Sequence, residues 1–342
     1  MPLALGVIGL GRMGRFYART VHASLSSARL VAAADPKPAA RASVRAELGC
    51  TVFADPLAVV ERPDVEAVLV ASPASTHAEI VIAAAAAGKH ILCEKPLALT
   101  MDQTKDVLAA VERAGIIFQV GFMRRFDSLY SDAKAAIDAG CIGRVVSFKA
   151  IGRDPDCPPL AYANPAYSGG LILDMALHDF DLARWLMSSE VERVSTEAGL
   201  LVCEQLAAVD DIDNAVINLR FANGALGNVE VSRNARYGYD VRTEVLGSHG
   251  AVMVGNAGWG RMELLNRAAD SPADGTPHFV ERFGSAYRLQ LEHFFDCVKR
   301  NLQPAVGGID ALAAFKIAQA ATMSWKSARP VALAELEISA SV

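Results

Sequence analysis

Along the first third of the chain, short apolar runs alternate with longer segments of helical spacing. The runs "LALGVIG", "RLVAAAD", "VEAVLVAS", "HILCE" and "IIFQVGF" are predicted strands, and "RMGRFYARTVHASL", "PAARASVRAEL", "THAEIVIAAAAAG" and "MDQTKDVLAAVERAG" are the helices between them. Nearly continuous apolar strands joined by helices predict a parallel, doubly wound sheet covered on both faces. After Phe122 the pattern changes: "DSLYSDAKAAIDAG" reads as a helix, "GRVVSFKAIG" as a strand and "GGLILDMALHDFDLARWL" as a second helix. Beyond it the period shortens to two, with "AVINLRF" and "ALGNVEVSR" joined at Asn223-Gly224, and "DVRTEVLG" and "AVMVG" joined at Ser248–Gly250. Two helices, "YRLQLEHFFDCVKRN" and "GIDALAAFKIAQAATMSW", close the pattern, and residues 266–279 read as a long surface loop. The predicted chain is α/β: a doubly wound domain over 1–122, then an α+β domain over 123–342 whose sheet is largely antiparallel and open on one face.

The first strand runs straight into "GLGRMG", a G-x-G-x-x-G of Gly9, Gly11 and Gly14. Glycines there permit a tight turn, close approach of a pyrophosphate and packing of helix on strand, while the helix N-terminus faces the phosphates. Asp35 follows Gly14 by 21 residues at the end of the second strand, where its carboxylate would accept the adenosine ribose hydroxyls and repel a 2′-phosphate. A Rossmann domain preferring NAD to NADP is predicted, with Arg12 and Lys37 as nearby cations.

Composition narrows the possibilities. The chain has 342 residues, 52% of them hydrophobic and 21% charged, and a formal net charge of -5. That is enough material for two cores, with no basic footprint for nucleic acid or anionic lipid. The most apolar helical run, "IVIAAAAAG" at 80–88, is too short for a bilayer, and the N-terminus lacks a basic leader, so a cytoplasmic protein is expected. The six cysteines include no C-x-x-C pair and suggest neither zinc nor a disulfide framework; reduced thiols are expected.

Asp174, His178 and Asp181 fall at i, i+4 and i+7 of the second helix, on one stripe. A metal site, a structurally paired histidine and a proton-transfer pair all fit that spacing, but three ligands on one helix stripe rarely enclose an ion unaided, and no metal is expected. Histidine is suited to take a proton near neutral pH, and a carboxylate one turn back can stabilise the charge it gains. Asp181 is left over and is expected to pair with Arg184. Earlier in the chain, Ser72-Pro73 and Glu94-Lys95-Pro96 end strands at the sheet's carboxyl edge, where such folds bind ligands.

Taken in order, "GLGRMG", the T-H-A-E helix start, "GKHILCEKPLA" and "GGLILDMALHDFDLARWL" resemble the glucose–fructose oxidoreductase, inositol dehydrogenase and rhizopine catabolism (Gfo/Idh/MocA) family along nearly the whole chain. Within it, "QVGFMRRFDSLYSDAKAAIDAGCIG" and "GRDPDCPPLAYANPAYSGG" are most like inositol 2-dehydrogenases. The resemblance implies an NAD-dependent oxidation of a secondary hydroxyl on a cyclitol or sugar, myo-inositol to 2-keto-myo-inositol foremost. A scyllo-inositol or pyranose dehydrogenase, a ketone reductase and a non-catalytic NAD and sugar sensor are the alternatives. It implies Lys95, Asp174 and His178 as catalytic residues, with the lysine beside the nicotinamide and a cis bond to Pro96. It places Gly9, Gly11, Arg12, Met13, Gly14, Asp35, Ser72, Pro73, His77, Glu94 and Lys95 at the cofactor. Substrate contacts are expected from Lys95, Arg125, Asp154, Asp174, His178 and Tyr237. A homo-oligomer, most simply a tetramer, is expected to cover the open sheet face, with no nucleic-acid or membrane partner.

Overall fold

The computed structural model describes residues 2–255 and 279–338, so most of the predicted surface loop at 266–279 lies outside the described residues. The chain divides into two compact units, Met1–Met123 with Ser285–Leu312, and Arg124–Gly284 with Ala313–Val342.

In the first unit, β1 (Leu3–Ile8), β2 (Ala28–Ala34), β3 (Thr51–Phe53), β4 (Ala67–Val70), β5 (His90–Cys93) and β6 (Phe118–Val120) form one sheet in the order β3-β2-β1-β4-β5-β6. Every pairing in it is parallel. Helices α1 (Arg12–Ser24), α2 (Pro38–Leu48), α3 (Leu57–Val60), α4 (Ala74–Ala86) and α5 (Met101–Ala114) make the crossovers. The strand order reverses between β1 and β4, and the crevice at such a point is where these sheets bind ligands. The central strands are mostly apolar because both faces are buried; β4 is buried at all four residues.

The second unit carries α6 (Ser128–Asp138), β7 (Val145–Arg153), the short helices α7 (Leu160–Ala163) and α8 (Pro165–Ser168), and a π-helical turn at Ile172–Ala176 that runs into α9 (Leu177–Met187). Strands β8 (Val191–Gly199), β9 (Asn214–Phe221), β10 (Leu226–Ser232), β11 (Asp240–Gly247), β12 (Ala251–Val254) and β13 (Val331–Ala332) complete a seven-stranded sheet with β7, in the order β12-β11-β7-β10-β9-β8-β13. Among the described strands of this sheet, only β7 and β10 pair in parallel. The period-two pattern is visible in β9, where Ala215, Ile217, Leu219 and Phe221 are buried while Val216 is 43% exposed. The pairing register puts Leu226, Ser147, Leu246 and Ala251 in one row across the outward face.

Two expectations change. Helices α10 (Phe279–Arg300) and α11 (Gly308–Ser327) precede β13, but residues 285–312 fold with the first unit and not with the second. Cys157 and Cys203, 46 residues apart, form a disulfide, while Cys50, Cys93, Cys141 and Cys297 are free thiols. The bond joins the segment before α7 to a turn whose backbone amides at Leu201, Val202 and Cys203 all donate to Asp213. Sequence spacing gives no sign of the pairing, because the fold brings the two segments together.

Candidate active site

Gly9 sits at φ 90°, a left-handed conformation that a side chain resists, and a Cβ there would lie 2.5 Å from the Ser72 nitrogen. Its glycine lets the carboxyl ends of β1 and β4 touch at the crossover. A Cβ on Gly14 would fall 1.7 Å from the Gly9 carbonyl oxygen, so α1 packs against the turn itself. Above Gly11, by contrast, a Cβ would meet no heavy atom within 4 Å. Gly11 caps α1 without a side-chain hydrogen bond, so the helix start presents the first-turn amides of Met13 and Gly14 to the space above it. An open cradle over a helix N-terminus fits a dinucleotide pyrophosphate.

Asp35 is 9% exposed and fixed beside that turn. Its Oδ2 accepts the Leu10 amide and its Oδ1 the Lys37 amide, each at 2.8 Å. A carboxylate so held retains lone pairs for two hydroxyls, as an adenosine ribose requires.

At the end of β5 come Glu94, Lys95 and Pro96, and the Lys95–Pro96 peptide is cis. Glu94 accepts the Tyr17 hydroxyl at 2.5 Å and the Lys95 amide at 3.2 Å. Burial pushes the Glu94 carboxyl above its usual range, against the opposing pull of the Tyr17 hydrogen bond and the Lys95 charge. The resemblance places His77 at the cofactor, but its ring is 1% exposed and lies 2.8 Å from the Pro96 carbonyl oxygen and 2.9 Å from that of Ser72. The carbonyls favour a charged ring, yet burial outweighs them and lowers its pKa. A neutral ring donates from one nitrogen only. His77 therefore donates to one of these two carbonyls, and both its ring nitrogens lie against backbone oxygens. Ser72 spends its hydroxyl on Thr76 at 2.7 Å, and Pro73 leads into α4.

In the second unit, Asp174 lies in the π-helical turn and His178 in the first turn of α9, each 8% exposed. Asp174 Oδ1 accepts the Tyr162 hydroxyl at 3.2 Å, and Oδ2 accepts Nη2 of Arg233 at 3.3 Å. Arg233 is 1% exposed and donates through Nη1 to Asp211 at 2.6 Å. Asp211 also takes the Leu171 amide at 3.1 Å, and a Cβ on Gly170 would come within 2.9 Å of its Oδ1. The second glycine of "GGLILD" thus makes room for the carboxylate that anchors the turn. The Asp174 charge, then burial, then the Asp154 charge push the Tyr162 phenol well above its usual range. Asp154, Tyr162, Asp174 and Arg233 therefore share one polar neighbourhood. A cavity of about 230 Å³ opens on another side of the turn, lined by Asn164, Asp211, Trp325 and Lys326 among others; neither Asp174 nor His178 lines it. Among the described residues, no group of three or more His, Cys, Asp or Glu side chains is arranged to hold a metal ion.

Residues 3–122 match the family model described as an oxidoreductase family with an NAD-binding Rossmann fold, and residues 130–253 match the Gfo/Idh/MocA C-terminal domain. The chain belongs to the Gfo/Idh/MocA family. It is 39% identical over 328 residues to a Bacillus subtilis scyllo-inositol 2-dehydrogenase (NAD(+)), covering 96% of this chain and 95% of that one. A Thermotoga maritima myo-inositol 2-dehydrogenase is 38% identical over 335 residues, covering 98% and 99% of the two chains. Among solved structures, scyllo-inositol dehydrogenase from Lactobacillus casei with bound NAD(H) and scyllo-inositol superposes with a TM-score of 0.87 at 28% identity, covering 98% of this chain and 100% of that one. This Gfo/Idh/MocA protein is an NAD-dependent oxidoreductase. No helix among its described residues is long and apolar enough to cross a membrane.

Two expected substrate contacts in the oxidoreductase are committed elsewhere. Arg125 forms a two-pronged pair with Asp181, at 2.8 and 2.5 Å, and lies 5.7 Å from the Trp185 ring centroid. Asp181 thus takes Arg125 as a partner, and Arg184 binds Glu190. Tyr237 accepts from Arg153 and donates to Asp240, each at 2.7 Å, so its hydroxyl is spent in both roles. Sequence reasoning missed Tyr162, Asp211 and Arg233. The one available signal is Arg233 itself, a charge following the buried run of β10.

Proposed function

We propose that this enzyme oxidises a secondary hydroxyl of a cyclitol to a ketone with NAD, with myo-inositol to 2-keto-myo-inositol as the first substrate to test. The observation that carries the reading is the buried turn that holds Asp174 between Tyr162 and Arg233, with His178 one turn on. The names of the two inositol dehydrogenases that match nearly the full chain support the substrate class. When bound, NAD supplies the acceptor for the hydride that leaves the carbinol carbon. His178 takes the hydroxyl proton as general base, a role typically worth about 10²–10⁴ in rate. Lys95 lowers the cost of that proton loss by placing positive charge at the developing alkoxide. Asp174, with both oxygens engaged, stabilises the imidazolium and orients the polyol. Asp154 is the remaining contact proposed for a substrate hydroxyl.

The outward sheet face supports a second part of the reading. Leu226, Leu246, Met253 and Val216 are each 42–54% exposed across β9–β12, a row that a second copy of the chain would cover. We assign it to a homo-oligomer, a tetramer in the simplest arrangement, and a monomeric mass by light scattering would refute that.

NADH absorbance measured over a panel of inositols and aldoses, each with NAD and with NADP, tests the main reading. Turnover is expected with NAD and at least one inositol. Absence of turnover with every cyclitol, alongside turnover of a pyranose, would move the substrate class to sugars.

A further inference from the structure

Glu94 carries a second arrangement that the chemistry above leaves unused. Its Oε1 accepts the Tyr17 hydroxyl at 2.5 Å, and the Tyr17 oxygen accepts Nε2 of Gln290 at 3.0 Å. Because Gln290 supplies a donor, the phenol proton is directed at Glu94, and the chain of hydrogen bonds runs one way. Both Tyr17 and Gln290 are 0% exposed. The end of β6 is cut to fit the same carboxylate, since a Cβ on Gly121 would come within 2.8 Å of Oε2. Burying an acid, a phenol and an amide together costs stability wherever apolar side chains would pack as well. The group that this polar chain reaches is Lys95, whose amide donates to Glu94 Oε2 at 3.2 Å.

We propose that Tyr17 and Gln290 are positioning residues for Glu94, and that Glu94 in turn fixes the backbone of Lys95 and balances its ammonium charge. The proposal rests on the reading of Lys95 as a group at the reacting carbon. Burial drives the Glu94 carboxyl toward its protonated form, while the Tyr17 hydroxyl and the Lys95 charge hold it ionised. Removing the hydroxyl therefore lets Glu94 take up a proton at higher pH. Two other titratable groups bear on the pair. The Cys93 thiol is pushed well above its usual range by burial and by Glu94, and Tyr287 packs edge-on to Tyr17 at 5.8 Å between centroids.

The test compares Tyr17→Phe, Gln290→Met and Glu94→Gln with the parent enzyme, using myo-inositol and NAD. In Tyr17→Phe the acid limb of kcat is expected to move up by about one pH unit, a loss of about tenfold on that limb. The dissociation constant of NADH, measured by fluorescence, is expected to stay within about twofold, because the hydroxyl touches no cofactor atom in this account. Gln290→Met is expected to move the limb in the same direction by less, and it keeps the test open should Tyr17→Phe fail to fold. An infrared carbonyl band of protonated carboxyl, assigned by its loss in Glu94→Gln, is expected at higher pH in Tyr17→Phe than in the parent. Folded variants whose pH profile and infrared titration superimpose on the parent's would overturn the proposal. If the parent turns over no inositol, the reading of the reaction fails while the infrared titration still decides the hydrogen-bond chain.

Discussion

Replacing Arg233 by Met removes the one cation shown between Asp174 and Asp211 while keeping most of the side chain's apolar length. The three side chains are 1%, 11% and 5% exposed respectively, so water screens the loss poorly. Taking one partner out of a buried ion pair typically costs about 3–5 kcal/mol, because the remaining charge is left in a poor solvent. In a unit of this size each kcal/mol corresponds to about 2–4 °C, so Tm is expected to fall by roughly 10 °C. Adding Asp211→Asn removes one of the stranded charges, and the double variant is expected to recover about 1–2 kcal/mol relative to the sum of the two single changes. Arg236→Met, at an exposed position nearby, is the control and is expected to stay within about 0.5 kcal/mol. Activity adds a second readout. With Arg233 gone, Asp174 keeps only the Tyr162 hydrogen bond of the two shown, and displacement of a catalytic group by about 1 Å can cost about 10²-fold. Scanning calorimetry and steady-state NADH production measure both effects. An Arg233→Met enzyme with Tm within about 2 °C of the parent and undiminished kcat would refute the reasoning that this cation holds the turn.

His178→Ala is expected to lower kcat by about 10²–10⁴ while NADH fluorescence reports unchanged binding; turnover near the parent's would remove His178 as the base. Asp35→Ser is expected to raise the ratio of kcat/KM with NADP to that with NAD, and an unchanged ratio would place the ribose elsewhere. His77, with a depressed pKa in the fold, favours folding above the ordinary imidazole value near 6.5 and loses that contribution as pH falls below it. Tm is therefore expected to fall between about pH 7 and pH 5.5, more shallowly in His77→Gln; equal slopes would count against the assignment. Closing a loop with the 46-residue separation of Cys157 and Cys203 is worth about 4 kcal/mol in the chain-entropy model. Reduction of that bond is expected to lower Tm by roughly 10 °C, and Cys157→Ser should match the reduced parent; insensitivity to reductant would show that the bond contributes nothing.

The Rossmann domain was legible in the sequence because its determinants are contiguous. A strand, a glycine turn, a helix start and an acid at the end of the next strand lie within residues 3–35. Local periodicity also gave the two sheets, since period and burial are linked within each strand. The substrate end fared worse. Arg125 and Tyr237 are plausible hydroxyl binders by type, yet each is consumed by a neighbour far away in sequence, Asp181 for the first and Arg153 for the second. A charged side chain's partner is a property of the fold: spacing along one helix points Asp181 to Arg184, while the fold also brings it Arg125 from 56 residues earlier. The disulfide escaped notice for the same reason.

The predicted boundary near residue 122 lies within one residue of the division at Met123, and what the pattern did not show is the later return of the chain. Periodicity assigns α10 and α11 to the unit that precedes them, but residues 285–312 return to the first sheet. Gln290 records that return in its own chemistry. It sits in "RLQLEHFF" at a fully buried position, where an amide is costly unless something receives its hydrogen bond. What receives it is Tyr17, 273 residues earlier, and beyond Tyr17 the carboxylate next to Lys95. Arg233 makes the same point in the second unit, as a buried cation whose acceptors are Asp174 and Asp211. In both units the buried polar residue leads to a side chain proposed for the chemistry, Lys95 in the first and Asp174 in the second. The pattern alone marks these positions as anomalies, and only the fold supplies the partner that explains them.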